Sequence, residues 1–301
     1  MLKQQEQKMQ RIFITGDKWL YYKIYSGQKT ADLILTDLIN TVSAQLYAEE
    51  LIDKWFFIRY ADPKSHVRWR LQLNGEKNIG KVIKTVFDAC KPYTDSGHIH
   101  KIQLDTYKRE LERYGTHSME LVETLFWYDS LMIVSMLEQI EGDEGEKIRW
   151  LFSMRAIDQL LTDFNYSTQQ KYELINILAE NFGKEFNLDS SLILQLSTKY
   201  RNEKKASFDF MNRENDKESS YRPLFELLDI KSQKSESAIY ELIRLNFNNT
   251  LEISIDNLLG SLVHMLMNRL FRSKQRLHEM VIYGFLFRFY RSEIAKEKYS
   301  K

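Results

Sequence analysis

The segment HVRWRLQL, residues 66–73, alternates polar and apolar side chains without a break. Strict alternation indicates a β-strand, because successive strand side chains point to opposite faces of a sheet. His66, Arg68 and Arg70 therefore share one face, and the apolar residues between them share the other. Arginines two residues apart on a strand lie only about 7 Å from each other. This face therefore requires an anion nearby, which is either a ligand or an acidic neighbouring strand.

The surrounding segments predict the rest of a sheet. The Asp-Pro turn at 62–63 predicts that WFFIRY and HVRWRLQL pair as a hairpin. Apolar residues at helical spacing precede and follow this hairpin. The resulting order, β-α-β-β-α-β, is that of a ferredoxin-like fold. The predicted strands are 19–25, 55–60, 66–73 and 97–107, and the predicted helices are 29–50 and 77–91.

The pattern changes after about residue 115, where extended segments give way to amphipathic ones. The polar segment 202–219 predicts a helix end or a loop. The chain is therefore predicted to be an α+β protein, with a ferredoxin-like N-terminal half, 1–115, and a mainly helical C-terminal half, 116–301. Helices are predicted at 117–140, 145–164, 168–184, 189–214, 236–249, 255–272 and 276–296.

Composition narrows the function classes. The 43 basic and 42 acidic residues leave a net charge of +1, which argues against direct nucleic-acid binding. The single cysteine, Cys90, excludes an intrachain disulfide framework and a cysteine-rich metal site. The polar N-terminus predicts no secretion signal, and no run is long enough to span a bilayer. We expect a cytoplasmic protein.

Two further segments could supply a site. In YKRELERYG, residues 107–115, Arg109 and Arg113 share a face if the segment is helical, with Glu110 and Glu112 as alternative local partners. In SLVHMLMNRLF, residues 261–271, His264 lies four residues before Asn268 in an apolar helix. A buried histidine beside a polar residue is costly without a partner, although most such histidines are satisfied core residues.

Taken in order, WFFIRYADPKSHVRWRLQL, YKRELERYG, LFWYDS (125–130) and SLVHMLMNRLF resemble the elimination domain of class I lantibiotic dehydratases. The same domain occurs in thiopeptide biosynthesis proteins. The resemblance covers almost the whole chain, so that both halves together would form one elimination-type domain. One departure is that Gly115 is followed by Thr116, where the family often has a second glycine.

The resemblance implies a lyase that expels glutamate from glutamylated Ser or Thr of a precursor peptide, leaving dehydroalanine or dehydrobutyrine. A separate protein that uses glutamyl-tRNA would attach the glutamate. Arginine suits a carboxylate clamp because its fork binds carboxylate bidentately. Carried over from the family, the catalytic residues are Arg68, Arg113 and His264. The substrate-binding residues would be Arg70, Arg109, His66, Tyr114, Asn268 and Arg269.

The resemblance implies no metal and no organic cofactor, since the reaction is acid–base chemistry with electrostatic help. Two alternatives stay open. One is a thiopeptide cyclase of the same fold, which would join two dehydroalanines into a pyridine-type ring. The other is a non-catalytic docking module that takes up a peptide beside the WFFIRY strand. The oligomeric state is also open, with a homodimer among the options.

Overall fold

The computed structural model describes residues 9–140, 142–185, 190–214 and 216–299. The predicted absence of a secretion signal rests on residues 1–10, and most of these lie outside the described residues. The described strands are β1 (Ile12–Phe13), β2 (Trp19–Ser26), β3 (Ile52–Tyr60), β4 (His66–Leu73), β5 (Ile99–Asp105) and β6 (Tyr107–Lys108). Between β2 and β3 lie α1 (Thr30–Leu33), a π-helical segment (Ile34–Asn40) and α2 (Thr41–Ala48). A short 3-10 helix (Glu76–Asn78) and α3 (Ile79–Asp95) join β4 to β5.

Four strands form an antiparallel sheet in the order β3-β4-β2-β5. Together with the intervening helices, this is the ferredoxin-like arrangement predicted from the sequence. The prediction of one extended segment at 97–107 was too long, because β5 ends at Asp105 and Tyr107 belongs to β6. Strands β1 and β6 pair with each other in a separate two-stranded sheet that the sequence analysis missed.

The remaining described elements are helical, as predicted. The predicted helix at 236–249 is part of a longer one that begins at Arg222, and the polar segment assigned to a helix end or loop is helical up to Met211. The helices are α4 (Leu111–Tyr114), α5 (Met119–Leu137), α6 (Gly142–Asp163), α7 (Thr168–Glu185), α8 (Ser190–Met211), α9 (Arg222–Phe247), α10 (Ile255–Leu270) and α11 (Gln275–Tyr299). None of the described helices combines the length and hydropathy that a membrane-crossing segment needs.

The chain divides into two compact units. Unit 1 contains the described residues up to Leu131 together with Glu241–Leu258, and unit 2 contains Met132–Tyr240 and Leu259–Lys301. Unit 1 thus holds both sheets and also parts of α5, α9 and α10. The division into two subdomains at residue 115 stays a prediction.

Both faces of β4 are largely buried, including the face that carries polar side chains. Val67, Trp69 and Leu71 are fully buried on the apolar face. On the other face, His66 is 2% exposed and Arg70 is 9% exposed. A plain solvated surface, which is the usual fate of a polar strand face, is therefore excluded for this strand.

The turn after α4 depends on Gly115, which has φ 79° and ψ 154°. This backbone region is essentially restricted to glycine. A Cβ atom at this position would lie 2.7 Å from Ser118 Oγ and 3.3 Å from Glu252 Oε2. The Glu252 carboxylate also accepts a hydrogen bond from the Thr116 backbone N–H. The glycine therefore allows a close approach of backbone to carboxylate that other residues would block.

We predict that Gly115→Ala lowers the free energy of unfolding by about 2–3 kcal/mol, because the backbone strain and the contact with Ser118 add together. Chemical denaturation measures this change. Gly80→Ala is the matched control, since Gly80 is exposed at the start of α3 and no atom lies within 4 Å of its added Cβ. Equal stability of the two variants would contradict the strained turn.

Candidate functional site

The polar face of β4 lies between aromatic and basic neighbours. On β2, the residues opposite His66, Arg68 and Arg70 are Tyr25, Lys23 and Tyr21. On β3, the corresponding residues are Tyr60, Ile58 and Phe56. None of these six is acidic, so the prediction that a neighbouring acidic strand could neutralise the face is wrong. Asp105 of β5 lies opposite Tyr21 and forms an ion pair with Lys23.

Arg68 is oriented by two neighbours on this face. Its Nε donates a hydrogen bond to His66 Nε2 at 3.2 Å, and its guanidinium carbon lies 3.4 Å from the centre of the Tyr60 ring. Within the described residues, no carboxylate lies at ion-pair distance from this guanidinium. The side chain is partly exposed, unlike its two polar neighbours on the strand. His66 and Tyr60 thus fix the orientation of the Arg68 guanidinium, and its remaining N–H donors are available to an external anion.

Arg70 lies deeper, against three aromatic rings. Its guanidinium carbon is 4.7 Å from the ring centres of Tyr21 and Tyr107 and 5.2 Å from that of Phe56. Each such contact is worth about 0.5–2 kcal/mol. The Arg70 Nε is buried and has no hydrogen-bond partner. Among the described residues Arg70 has no ion-pair partner either, so its charge adds to the positive potential of this face.

His66 is a neutral support for Arg68. An arginine Nε–H can only donate, so His66 Nε2 must accept and the ring proton must be on Nδ1. That proton is donated to the Lys64 carbonyl at 2.8 Å. Burial lowers the pKa of His66, the Lys64 hydrogen bond raises it, and the charge of Arg68 lowers it, with a net decrease. Protonation would turn Nε2 into a donor facing a donor and break the contact.

Arg109 has its carboxylate partner inside the protein. Its Nε and Nη2 donate to Glu123 Oε1 and Oε2 at 2.8 and 2.7 Å. Tyr107 Oη donates to the same carboxylate at 2.7 Å. Arg109 is 2% exposed and Glu123 is fully buried. Burial lowers the pKa of Arg109, but the hydrogen bonds and charge of Glu123 outweigh it and raise the pKa.

The two arginines of YKRELERYG therefore differ. Arg109 precedes the single turn of α4, so the expectation that both share one helix face was wrong. Arg113 lies on α4, its side chain is 40% exposed, and it pairs with Glu110 at 3.5 Å. Tyr114 is buried, with its ring packed edge-on against Phe126. Of these residues, Arg113 is the one whose position lets it reach a ligand.

In unit 2, His264 is paired with a buried carboxylate. His264 Nδ1 lies 2.9 Å from Glu279 Oε1, and Glu279 is fully buried on α11. Since a carboxylate only accepts, this contact assigns the proton to Nδ1 and leaves Nε2 with a lone pair. The His264 side chain is 24% exposed, and Nε2 has no hydrogen-bond partner among the described residues. The arrangement has the form of a general base oriented by a carboxylate.

A small hydrogen-bond network fixes this pair. Gln275 Nε2 donates to Glu279 Oε1 at 2.5 Å and to the His264 carbonyl at 3.1 Å. Asn268 Nδ2 in turn donates to Gln275 Oε1 at 2.8 Å. Arg276 Nη1 lies 3.3 Å from Glu279 Oε2. Asn268 thus orients the histidine through Gln275, as a supporting residue two hydrogen bonds away.

Arg269 is fully buried, and its Nη1 donates to the Met265 carbonyl of the preceding helical turn at 2.9 Å. In this position it cannot meet a ligand that enters from solvent. Lys23, Gln275 and Glu279 were not predicted from the sequence. Lys23 could have been found from the predicted sheet order. No sequence pattern pairs Glu279 with a histidine on another helix.

The sequence matches a known protein family. The family model described as "Lantibiotic biosynthesis dehydratase C-term" matches residues 19–290. The chain therefore belongs to the family of lantibiotic dehydratase C-terminal domains. Among the described residues, no cluster of three or more His, Cys, Asp or Glu side chains is placed to hold a metal ion.

One curated relative and two solved structures are similar to this chain. The chain is 26% identical over 281 residues to the subtilin biosynthesis protein SpaB of Bacillus subtilis, covering 90% of this chain and 25% of SpaB. It is similar in fold to the tRNA-dependent lantibiotic dehydratase MibB from Microbispora sp. 107891, with TM-score 0.73, 19% identity, and coverage of 95% of this chain and 29% of MibB. It is also similar to the pyridine synthase TbtD from thiomuracin biosynthesis, with TM-score 0.64, 11% identity, and coverage of 92% and 99%. The chain thus spans about a quarter of the curated relative SpaB.

We predict that Arg109→Met lowers the free energy of unfolding by about 3–5 kcal/mol, because it leaves the buried Glu123 carboxylate without its cation. Arg113→Met is the matched control and should cost less than about 1 kcal/mol, since this pair is solvent-exposed. Urea denaturation measures both. A small loss in Arg109→Met would show that the buried pair is not needed for stability.

We predict that His66 is neutral at pH 7 with its proton on Nδ1, and that it titrates below 6.5, its ordinary pKa. Nitrogen-15 NMR of the imidazole ring reports both properties. Because the folded-state pKa is lowered, the stabilisation from His66 is complete above pH 6.5 and is lost as the pH falls below it. A proton on Nε2, or a titration midpoint above 6.5, would contradict the proposed support of Arg68.

Proposed function

We propose that this protein eliminates glutamate from glutamylated Ser or Thr residues of a ribosomal precursor peptide. The observation that carries this proposal is Arg68, a guanidinium held in place by His66 and Tyr60 with no carboxylate partner among the described residues. A glutamyl ester supplies the missing anion. Its departure creates a second carboxylate that the same positive face would stabilise.

The proposed reaction is a β-elimination. A base removes the Cα proton of the modified Ser or Thr, and the electrons of that C–H bond form the Cα=Cβ double bond. The Cβ–O bond breaks, and its electron pair leaves on the glutamate carboxylate. No oxidant or reductant is required, and the proton is carried by the base until solvent accepts it.

We assign roles from the contacts described above. Arg68 binds the glutamyl carboxylate, Arg70 contributes positive potential from its aromatic surroundings, and Arg113 is a second clamp. His264 Nε2 takes the proton, with Glu279 and Asn268 orienting the ring. His66 positions Arg68. In this proposal Arg109, Tyr114 and Arg269 are structural, because each is buried and Arg109 is already neutralised by Glu123.

The proposal extends to partners. Support comes from membership of the dehydratase family and from the name of its relative SpaB, a subtilin biosynthesis protein. The substrate would be a glutamylated precursor peptide, supplied by a separate protein that uses glutamyl-tRNA. We place this reaction in the cytoplasm, where aminoacyl-tRNA is made. Light scattering of the purified protein would distinguish a monomer from a homodimer.

The cyclase is the second candidate function, and one observation favours it. The fold likeness to the pyridine synthase TbtD extends over 99% of that chain. A cyclase acts on a peptide that is already dehydrated and has no glutamyl carboxylate to bind. The positive face around Arg68 is therefore the feature that favours elimination over cyclisation.

We predict that the purified protein converts a glutamylated precursor peptide to its dehydrated form, measured by mass spectrometry. Arg68→Ala and His264→Ala should each reduce the rate by at least about 100-fold, because each removes a group that acts in the transition state. Arg11→Ala is the control, since the Arg11 side chain is 39% exposed and forms an ion pair with Glu112.

Three results would decide against the proposal. Glutamate could stay on the peptide, the Arg68 and His264 variants could retain full activity, or a dehydrated linear peptide could yield a macrocycle. The third result would establish the cyclase.

We predict that Glu279→Gln reduces kcat by about 10- to 100-fold and leaves KM unchanged, because orientation of a general base contributes to the transition state alone. Glu185→Gln is the control, since Glu185 also pairs with Arg276 but makes no contact with His264. A loss of thermal stability with unchanged kcat in Glu279→Gln would assign the carboxylate a purely structural role.

A further inference from the structure

Asp105 belongs to the same sheet face as Arg68. In the register of the sheet, Asp105 of β5 lies opposite Tyr21 of β2, and Tyr21 lies opposite Arg70 of β4. Residues directly opposite each other in paired strands project from the same side of a sheet. Three rows of described residues cross this face through His66, Arg68 and Arg70, and Asp105 is the one acidic residue in them. The face therefore combines several cations with a single carboxylate.

The Asp105 carboxylate is held in its ionised form close to these cations. Burial raises the pKa of Asp105. The hydrogen bonds that it accepts from Lys23 Nζ and from the Thr106 backbone N–H outweigh burial and, together with the charges of Lys23 and Arg68, lower the pKa. Arg68 thus acts on the Asp105 carboxylate electrostatically, although the two side chains do not form an ion pair.

This carboxylate can accept further hydrogen bonds. Its Oδ1 accepts from the Thr106 backbone N–H at 2.7 Å, and its Oδ2 pairs with Lys23 Nζ. An ionised carboxylate offers about four lone-pair sites, so these two donors occupy about half of them. The Asp105 side chain is 33% exposed, so that a ligand from solvent can reach it. Asp105 is therefore able to bind a cation in addition to Lys23.

A glutamyl ester brings such a cation to the face. Glutamate that is transferred from glutamyl-tRNA is esterified through its α-carboxyl group, so it keeps a free side-chain carboxylate and a free α-ammonium group. Only Cα, Cβ and Cγ separate the two charges. Arg68, Arg70 and Lys23 attract the carboxylate, but they repel the ammonium group. Binding of the whole glutamyl group therefore requires a carboxylate beside the cations.

The spacing of the strands suits a ligand with both charges. β2 lies between β4 and β5 in the sheet. Because neighbouring strands are about 4.8 Å apart, β4 and β5 are separated by about 10 Å. The long Arg68 side chain, the short Asp105 side chain and a glutamyl group between them can together span this separation.

We propose that Asp105 binds the α-ammonium group of the glutamyl substrate while Arg68 binds its side-chain carboxylate. Asp105 then determines specificity, because it favours glutamyl esters over acyl groups that lack the amine. This inference rests on the proposed function, since it takes the glutamyl ester as the substrate. It adds a recognition of positive charge to a face that otherwise binds anions.

Two precursor peptides test this specificity in turnover. Both carry an ester on the same serine; one ester is glutamyl, and the other is glutaryl, which keeps the side-chain carboxylate but has hydrogen in place of the amine. The amine also makes glutamate a better leaving group than glutarate. The informative quantity is therefore the ratio of kcat/KM for the two peptides, and its change on substitution. Mass spectrometry of the dehydrated product measures both rates.

We expect Asp105→Asn to lower this ratio about 10- to 100-fold, because it removes a charged hydrogen-bond acceptor that only the glutamyl group uses. The rate with the glutaryl peptide should stay unchanged, which also shows that the variant is folded. Asp95→Asn is the matched control, since Asp95 also pairs with a lysine, Lys91, but lies on α3. An unchanged ratio in Asp105→Asn would overturn the proposal.

Lys23→Met separates ligand recognition from the ion pair itself. This substitution removes the same ion pair but leaves the Asp105 carboxylate in place. We expect the ratio to stay the same or to rise, because Asp105 then has one cation fewer to share. A fall of the size expected for Asp105→Asn would show that only the intact ion pair matters, and it would contradict the proposal.

Binding to the unsubstituted protein provides a test without a variant and without a leaving group. The probes are glutamic acid α-methyl ester and monomethyl glutarate, which differ only in the amine. Isothermal titration calorimetry with the whole chain should give at least about tenfold tighter binding of the first probe. Equal affinities, or no saturable binding of the first probe, would overturn the proposal.

The two proposals can fail separately. If the probes bind with the expected difference but the glutamylated peptide is not dehydrated, the proposed function alone fails. If dehydration proceeds and Asp105→Asn leaves the ratio of the two peptides unchanged, the role of Asp105 alone fails.

Discussion

The site in unit 1 depends on two arginines of β4, Arg68 and Arg70, whose positive charges lie on a mostly buried face of the sheet. The cross-strand neighbours of Arg68 and Arg70 supply aromatic rings and one lysine, and none supplies a carboxylate. Aromatic faces attract a guanidinium without neutralising it. Such a face lowers the free energy of an arriving anion, because its cations are already oriented. Binding of a carboxylate is the simplest use of this arrangement.

The contrast between Arg68 and Arg109 shows how the fold assigns roles to identical side chains. Arg109 is held on a bidentate pair with the buried Glu123, and its charge is used within the protein. Arg68 is held by a neutral histidine and a tyrosine ring, neither of which removes its charge. Tyr107 contacts both the polar face of β4 and the Arg109–Glu123 pair, because its ring packs on Arg70 and its hydroxyl donates to Glu123. Position, and not residue type, therefore separates an arginine whose charge is neutralised inside the protein from one that has no carboxylate partner among the described residues.

The sequence predicted the sheet well, because alternation and turn chemistry act locally. The strand 66–73 was predicted with its observed bounds, and the ferredoxin-like order followed from its neighbours. Local patterns do not specify long-range partners. Glu123 and Glu279 are buried carboxylates, and neither lies on the same element of secondary structure as its partner, Arg109 or His264. No sequence pattern near either glutamate indicates that partner. The short pairing of β1 with β6 was missed for the same reason.

In unit 2, His264 meets the requirement that its burial imposes. A histidine in an apolar helix needs a partner, and Glu279 and Gln275 supply one from α11. His264 Nε2 therefore keeps a lone pair, while Nδ1 is hydrogen-bonded to Glu279. This is a state suited to proton transfer.

We propose that Arg68 binds an external carboxylate, because the described residues do not provide one. The most direct measurement is a titration with L-glutamate, followed by NMR of the arginine Nε–H groups. We expect a saturable shift of the Arg68 signal, no shift for Arg109, and affinity at least about tenfold weaker in Arg68→Gln. An unchanged Arg68 signal at saturating glutamate, or equal binding by Arg68→Gln, would contradict it.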